Sequence, residues 1–308
     1  MHSPLARVIL TVLGGYVIIL LFLSAYDWFR KEYPRPAAKP PVMGRIRHPL
    51  YHEKANEALQ RFTRLPKPER DAIKENLQSC LLPMERWLNQ INQSNYQVMC
   101  IGELHEESTR NFLAEEFFAK LSADVLLLEA TPNELERLIK RMNAGRIYYP
   151  LLDADMMKIL RNVRARNPDI DICGIEETLE QKKERSGHSG SRDQSIARNF
   201  WSRFQPGMRH IILFGALHCA NEPHWLFDYL SGQTHFPLKS RFVNVQVLEE
   251  HQNGPLEAFV FFLDEIGIEK QNFVLPDTRA LHPRIYEWFQ LLNRQVLEKF
   301  CTLIVFRS

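Results

Sequence analysis

The 308-residue sequence has no Cys-x-x-Cys pair among its five cysteines, no stripe of basic residues, no long internal repeat and only 13 glycines. Each gap removes a class of protein. Scattered cysteines (Cys80, Cys100, Cys173, Cys219 and Cys301) suggest neither a zinc knuckle nor a disulfide framework. Three of them sit in apolar, strand-like runs and read as small buried hydrophobes. A formal charge of +2 without a basic face gives no reason to expect a nucleic-acid partner. What remains is an ordinary globular composition, 45% hydrophobic and 25% charged, in a chain long enough to bury a sizeable core.

Charge is missing from one long stretch. Val8 to Tyr26, "VILTVLGGYVIILLFLSAY", is close to the ~20 residues that cross a bilayer as a helix, and it reads as a single-pass anchor. Tyr26, Trp28 and Tyr33 suit an interfacial aromatic belt, with Arg30 and Lys31 among the headgroups. A cleavable signal peptide is the alternative, but "LSA" is a poor cleavage site. The basic residues that follow favour a cytoplasmic domain, whereas signal-anchor insertion favours the opposite side, so the side stays open. Residues 1–30 thus form the anchor and 31–49 a stiff linker, with five prolines in "PRPAAKPPVMGRIRHP". The remaining domain, 50–308, opens on a helical preface that runs to about Gln93, with Pro83 starting a fresh helix at Met84.

From Tyr96 the pattern changes to short apolar runs alternating with amphipathic helices. The runs "YQVMCIG", "ADVLLLEA", "DIDICGI", "RHIILFGA", "RFVNVQVL" and "EAFVFFL" read as buried strands. Thr131 caps the helix "TPNELERLIKRM", with Pro132 at its first position. The last helix is expected over 282–300, with "CTLIVF" following as an edge strand. The alternation predicts an α/β domain with a central, largely parallel β-sheet flanked by helices.

In such sheets ligands gather beyond the carboxyl ends of the strands. Four of the ends are polar here. "IGELHE" offers Glu103 and His105, which in extended backbone point the same way. "LLLEA" ends in Glu129, "DICGIEE" in Glu176 and Glu177, and "LFGALH" in His218. Two imidazoles and several carboxylates on one rim suit a divalent metal, zinc, manganese or iron, with Glu103, His105, Glu129 and His218 as ligands and an open position for water. Without a metal, a histidine beside a carboxylate can itself be the general base. Taken singly, each histidine reads as structural, Glu177 as a solvated charge at a helix start and "EEHQ" at 249–252 as an exposed turn; His224 is a further candidate. With 13 Gly and 11 His in the chain, roughly half a Gly-x-x-His is expected by chance. Two that each end an apolar run carry more weight.

The order "IGELHE", "LLLEA", "YYPLLDADMMKIL", "DICGIEE", "SRDQSIARNF" and "LFGALH" resembles the superfamily that joins ChaN-type haem-binding lipoproteins, TIKI and TraB proteins and erythromycin esterases. The resemblance covers about residues 96–231. It implies a ChaN/TIKI-like sheet fold and a site lined by Glu103, His105, Glu129 and His218. It adds Arg192, ahead of the last motif strand, as a bidentate holder of a substrate carboxylate or oxyanion. One departure is that "CANEPHW" follows the second histidine where a glycine turn is usual. The first expectation is therefore a membrane-anchored, metal-dependent hydrolase of a peptide or ester bond, with Glu103, His105, Arg192 and His218 catalytic. The second is an envelope protein that binds haem or iron, with Tyr148, Tyr149 or a histidine as axial ligand. A catalytically silent regulatory module is the third.

Overall fold

A computed structural model of the protein describes residues 49–143, 154–186, 191–231, 242–251, 254–268, 271–289 and 300–307. These all fall within the unit Gly44–Ser308. The expected anchor at 8–26, the proline-rich linker, and Tyr148 and Tyr149 lie outside them. Among the described residues no helix is long and apolar enough to cross a membrane.

The strands are β1 (Leu82–Pro83), β2 (Val98–Glu103), β3 (Val125–Leu128), β4 (Asp171–Gly174), β5 (His210–Gly215), β6 (Phe242–Glu249), β7 (Phe273–Leu275) and β8 (Thr302–Phe306). They form one eight-stranded sheet in the order β1-β7-β8-β6-β2-β5-β3-β4. From β8 to β4 every pairing is parallel, and only β1 with β7 and β7 with β8 run antiparallel. Parallel strands need covering on both faces, which is why the apolar runs are continuous rather than alternating.

The cover comes from α1 (Pro49–Arg64), α2 (Lys67–Cys80), α3 (Met84–Gln93), α4 (Glu107–Phe112), α5 (Pro132–Asn143), α6 (Ala154–Arg166), α7 (Leu179–Ser186), α8 (Arg192–Trp201), α9 (Ala216–Cys219), α10 (Leu226–Ser231), α11 (Gly254–Glu265) and α12 (Pro283–Phe289). The pleat sorts β2 between two layers. Met99 and Ile101 pack with Phe112, Leu113, Leu135 and Leu160, while Val98 and Cys100 pack with Ile196, Phe200 and Leu226. A third cluster joins α1, α2, α11 and α12 to β7 and β8. Phe117 and Phe200 are fully buried, one in each layer, and each side chain contributes ~1.5–3 kcal/mol.

Three expectations about elements need correcting. "EAFVFFL" is not a strand but the middle of α11, whose apolar residues face all round because the helix is buried, with Phe259 and Phe262 meeting Phe289. "CTLIVF" is not at an edge, since β8 lies between β7 and β6. "EEHQ" is not an exposed turn: Glu250 is buried, and the buried His251 ring meets both Glu250 and Glu257. Of the expected last helix, Pro283–Phe289 is described.

A fourth correction concerns cysteine. Cys100 on β2 and Cys219 at the end of α9 are joined by a disulfide across 119 residues, with their Cα atoms 5.4 Å apart. The pairing was invisible in the sequence because neighbouring parallel strands, not spacing along the chain, bring the two together.

Candidate active site

β2, β5, β3 and β4 are consecutive in the sheet and parallel, so their carboxyl ends share one rim. Glu103 is paired in register with Gly215 on β5. Glu129 follows β3, Glu176 follows β4, and His218 lies in the short α9 that follows β5 directly. The last part comes from α8. Ser191 caps that helix by accepting from the Gln194 N–H at 3.1 Å, and so places Arg192 and Asp193 in its first turn.

The two histidines converge on Glu129. His105 Nε2 is 3.6 Å from Glu129 Oε2 and His218 Nε2 is 3.8 Å from Glu129 Oε1. Each has its own carboxylate behind it. His105 Nδ1 is 3.0 Å from Glu103 Oε1, and His218 Nδ1 is 3.0 Å from Asp193 Oδ2, which also accepts from the Leu226 N–H at 2.8 Å. A carboxylate only accepts, so Asp193 takes its hydrogen from His218 Nδ1; His105 Nδ1 faces Arg110 Nη2 at 3.1 Å as well as Glu103, and both rings turn Nε2 towards the cavity.

Arg192 ties the rim together. Its Nη2 donates to Glu129 Oε1 at 2.7 Å and to Glu176 Oε2 at 2.6 Å, and its Nε donates to Glu176 Oε1 at 2.8 Å. Nη1 donates to His218 Nε2 at 3.0 Å. Four of the five guanidinium hydrogens are thus engaged among the described residues, and one on Nη1 is left for a substrate. Glu103 has a cation of its own: Arg110 Nε reaches Oε1 and Oε2 at 3.2 and 3.1 Å, and both side chains are buried.

The protonation pattern follows. The hydrogen bond that the Glu103 carboxylate accepts raises the pKa of His105 above the ordinary histidine value, with burial acting in the opposite direction. Burial works against the charge on Glu129, but the Gly215 N–H, 2.9 Å from Oε2, and Arg192 outweigh it and hold the carboxyl below its usual range. Its hydrogen bonds to the Glu176 and Glu129 carboxylates keep Arg192 charged throughout.

The paired Gly-x-x-His now has a physical reason, which is reciprocal. A Cβ on Gly215 would come within 2.8 Å of His105 Nε2, so the second glycine makes room for the first histidine. A Cβ on Gly102 would come within 2.9 Å of the Ala216 Cα, so the first glycine makes room for the turn that carries the second histidine. Gly215 has an ordinary φ of −54°, which alanine tolerates. The Gly215→Ala variant is therefore expected to keep its melting temperature while the displaced imidazole lowers kcat/KM roughly 100-fold, the scale of a 1 Å misplacement; calorimetry beside steady-state kinetics checks it.

All four residues expected at the core of the site, Glu103, His105, Glu129 and His218, are together, and Arg192 joins them. Glu103 and His105 meet in a different way from the extended strand foreseen: β2 stops at Glu103, and His105 has a φ of 55°, a left-handed conformation costly for a residue with a Cβ. Glu177 is not solvated but buried, with Arg185 Nε at 2.8 Å from it. Next to His224 it is Trp225 that lines the site, its ring centroid 5.8 Å from that of His218. Asp193 and Arg110 were missed. Asp193 looks like any first-turn acid of a helix. Arg110 stands among Thr109, Phe112 and Leu113, and the structure buries all four.

The set does not fit a metal as it stands. Arg192 occupies the place between the carboxylates where a cation would sit, and Arg110 neutralises Glu103. Among the described residues no three His, Cys, Asp or Glu side chains are arranged to hold a metal ion.

No protein-family model matches the chain, and no curated protein matches it in sequence. Among solved structures, one of bacterial protein toxins is 14% identical over 65% of this chain and 46% of its own, with a TM-score of 0.37. The C-terminal region of Pasteurella multocida toxin, which has a thiol-protease like catalytic triad, is 9% identical over 64% and 30%, with a TM-score of 0.33. RRSP, a MARTX toxin effector domain from Vibrio vulnificus, is 14% identical over 66% and 46%, with a TM-score of 0.32. The chain spans less than half the length of each of these. Superpositions this loose decide neither fold nor chemistry.

Proposed function

We propose that the domain is a hydrolase of peptide or ester bonds that uses histidine and arginine rather than a bound metal. The observation that carries this reading is the guanidinium of Arg192, held by Glu129 and Glu176 and touching His218, at the focus where two histidine–carboxylate pairs face each other. In this scheme His105 Nε2 takes a proton from water as the oxygen attacks the carbonyl carbon. The developing oxyanion accepts from the free Nη1–H of Arg192, a kind of donor worth about 10²–10³ in kcat. The carbon to leaving-group bond then breaks, and the leaving amine or alkoxide takes the proton back from His105. Glu103, its charge offset by Arg110, steadies the imidazolium in between, and His218 with Asp193 behind it fixes the tilt of Arg192. The motif resemblance to a superfamily that includes esterases supports the same reaction class.

Dialysis against EDTA and 1,10-phenanthroline tests it on a panel of peptides and aryl esters. Turnover is expected to survive; loss on chelation with recovery on adding zinc or manganese would sink the proposal. The pH profile gives a second check. The base must be neutral and its pKa is raised, so kcat/KM is expected to climb through a pKa above the ordinary histidine value of ~6.5 and to be lost below it.

We also infer that this domain faces an oxidising compartment. The Cys100–Cys219 bridge supports this, since such bonds persist outside the cytosol.

A further inference from the structure

The described surface exposes four large hydrophobic side chains: Leu104 at 38%, Leu179 at 71%, Met208 at 39% and Leu217 at 63%. A lone exposed leucine means nothing. Two of these are different, because they occupy the variable positions of the two motifs, Leu104 in Gly-Glu-Leu-His and Leu217 in Gly-Ala-Leu-His. Their neighbours in the chain are the reactive groups themselves. Together with Trp225 they line a cavity of about 550 Å³ whose wall also includes His105, Glu129 and Arg192. Trp225 stands edge-on to His218, at 71° between ring planes, so the apolar wall begins where that imidazole ends.

The neighbouring cleft, about 630 Å³, carries many more charged side chains, such as Arg137, Glu180 and Lys182, interspersed with Pro132, Met156 and Leu179. The two cavities share Glu103, His105, Glu129 and Arg192, so the reactive centre lies between a wall of Leu104, Leu217 and Trp225 and a cleft of mixed character.

We propose that Leu104, Leu217 and Trp225 form the specificity pocket of the enzyme and receive an aliphatic or aromatic group attached beside the bond that is cut. The proposal rests on the hydrolase reading for its reaction but on the cavity alone for its binding. A buried aliphatic chain removes apolar surface from water in proportion to its length, and a hydrophobic pocket separates chains one methylene apart by about 10-fold or more. The shared chemistry is the apolar group; an acyl ester and a peptide side chain are its two sources.

Binding and turnover are measured separately on the full chain. In the binding arm, hexanamide and acetamide are titrated against tryptophan fluorescence, with Trp225→Phe identifying the reporting ring. Saturable quenching by hexanamide but not acetamide, lost in Leu217→Asp, is the expected result. Leu217 is mostly exposed, so the aspartate should fold, and circular dichroism confirms it. Absence of quenching, or equal quenching in Leu217→Asp, would overturn the pocket. In the turnover arm, p-nitrophenyl hexanoate is compared with the acetate, and acetyl-leucine p-nitroanilide with the acetyl-alanine anilide. The longer group is expected to be favoured at least ~10-fold, falling to within about threefold in Leu217→Asp. A preference in the ester pair alone points to acyl esters, and one in the anilide pair to peptides. Hexanamide binding without turnover of any probe would leave the pocket standing and remove the hydrolase reading. Turnover with a preference that Leu217→Asp does not change would do the reverse.

Discussion

His105→Asn is expected to lower kcat/KM by about 10²–10⁴, the range lost with a general acid–base catalyst, while leaving the fold intact. Asparagine is the informative replacement. It tolerates the left-handed backbone that His105 adopts at φ 55° better than other residues with a Cβ, so the change removes the imidazole without adding strain. Nor does it orphan a buried charge, because Glu103 keeps its contacts to Arg110 at 3.1 and 3.2 Å. The ring is also 47% exposed, so little packing goes with it. Combining His105→Asn with Arg192→Gln should cost much less than the product of the single effects, since groups that serve one transition state are not additive. Single-turnover kinetics of the two variants and the double variant give the measurement. A His105→Asn protein that folds and keeps wild-type turnover would remove the proposed base.

Loss of the Cys100–Cys219 bridge is expected to be the largest change in stability. Both residues are fully buried, and the bond closes a loop of 119 residues. On the chain-entropy account, opening such a loop costs roughly 4–5 kcal/mol, a large share of the 5–15 kcal/mol that a domain usually has. A Cys100→Ala, Cys219→Ala protein should therefore unfold at a much lower guanidinium concentration, and wild-type protein in dithiothreitol should match it. The site should suffer as well. Cys219 follows His218 directly, and its bond to β2 fixes the short helix that aims the imidazole at Arg192. Turnover of the double alanine variant is thus expected to fall even at temperatures where it remains folded. Trapping free thiols at cell lysis, before purification, reports the compartment: a bridge already formed supports an oxidising one, and free Cys100 and Cys219 would count against it.

How much could be read without coordinates depends on where the information lies. Continuous apolar runs announce buried parallel strands, because both faces of such a sheet must be covered, and β3, β4 and β5 are found inside the runs read as strands. Polar residues at the ends of those runs announce the site, because parallel strands bring their carboxyl ends to one rim. That was enough to collect Glu103, His105, Glu129 and His218. It failed for "EAFVFFL", since a helix buried on all sides loses the period that separates it from a strand. It also placed "CTLIVF" at an edge, because order along the chain says little about order in the sheet.

The sequence by itself therefore determined the kind of sheet and the residues at its functional rim, both of which follow from local pattern. Only the tertiary structure decided which groups those residues meet. Arg192, not an ion, lies between Glu129 and Glu176; Asp193 stands behind His218; Arg110 neutralises Glu103; and Cys100 meets Cys219. The physical reason is that charge compensation, ring orientation and bond formation act over about 3–4 Å between side chains that belong to different elements, and no spacing along one chain encodes such a distance.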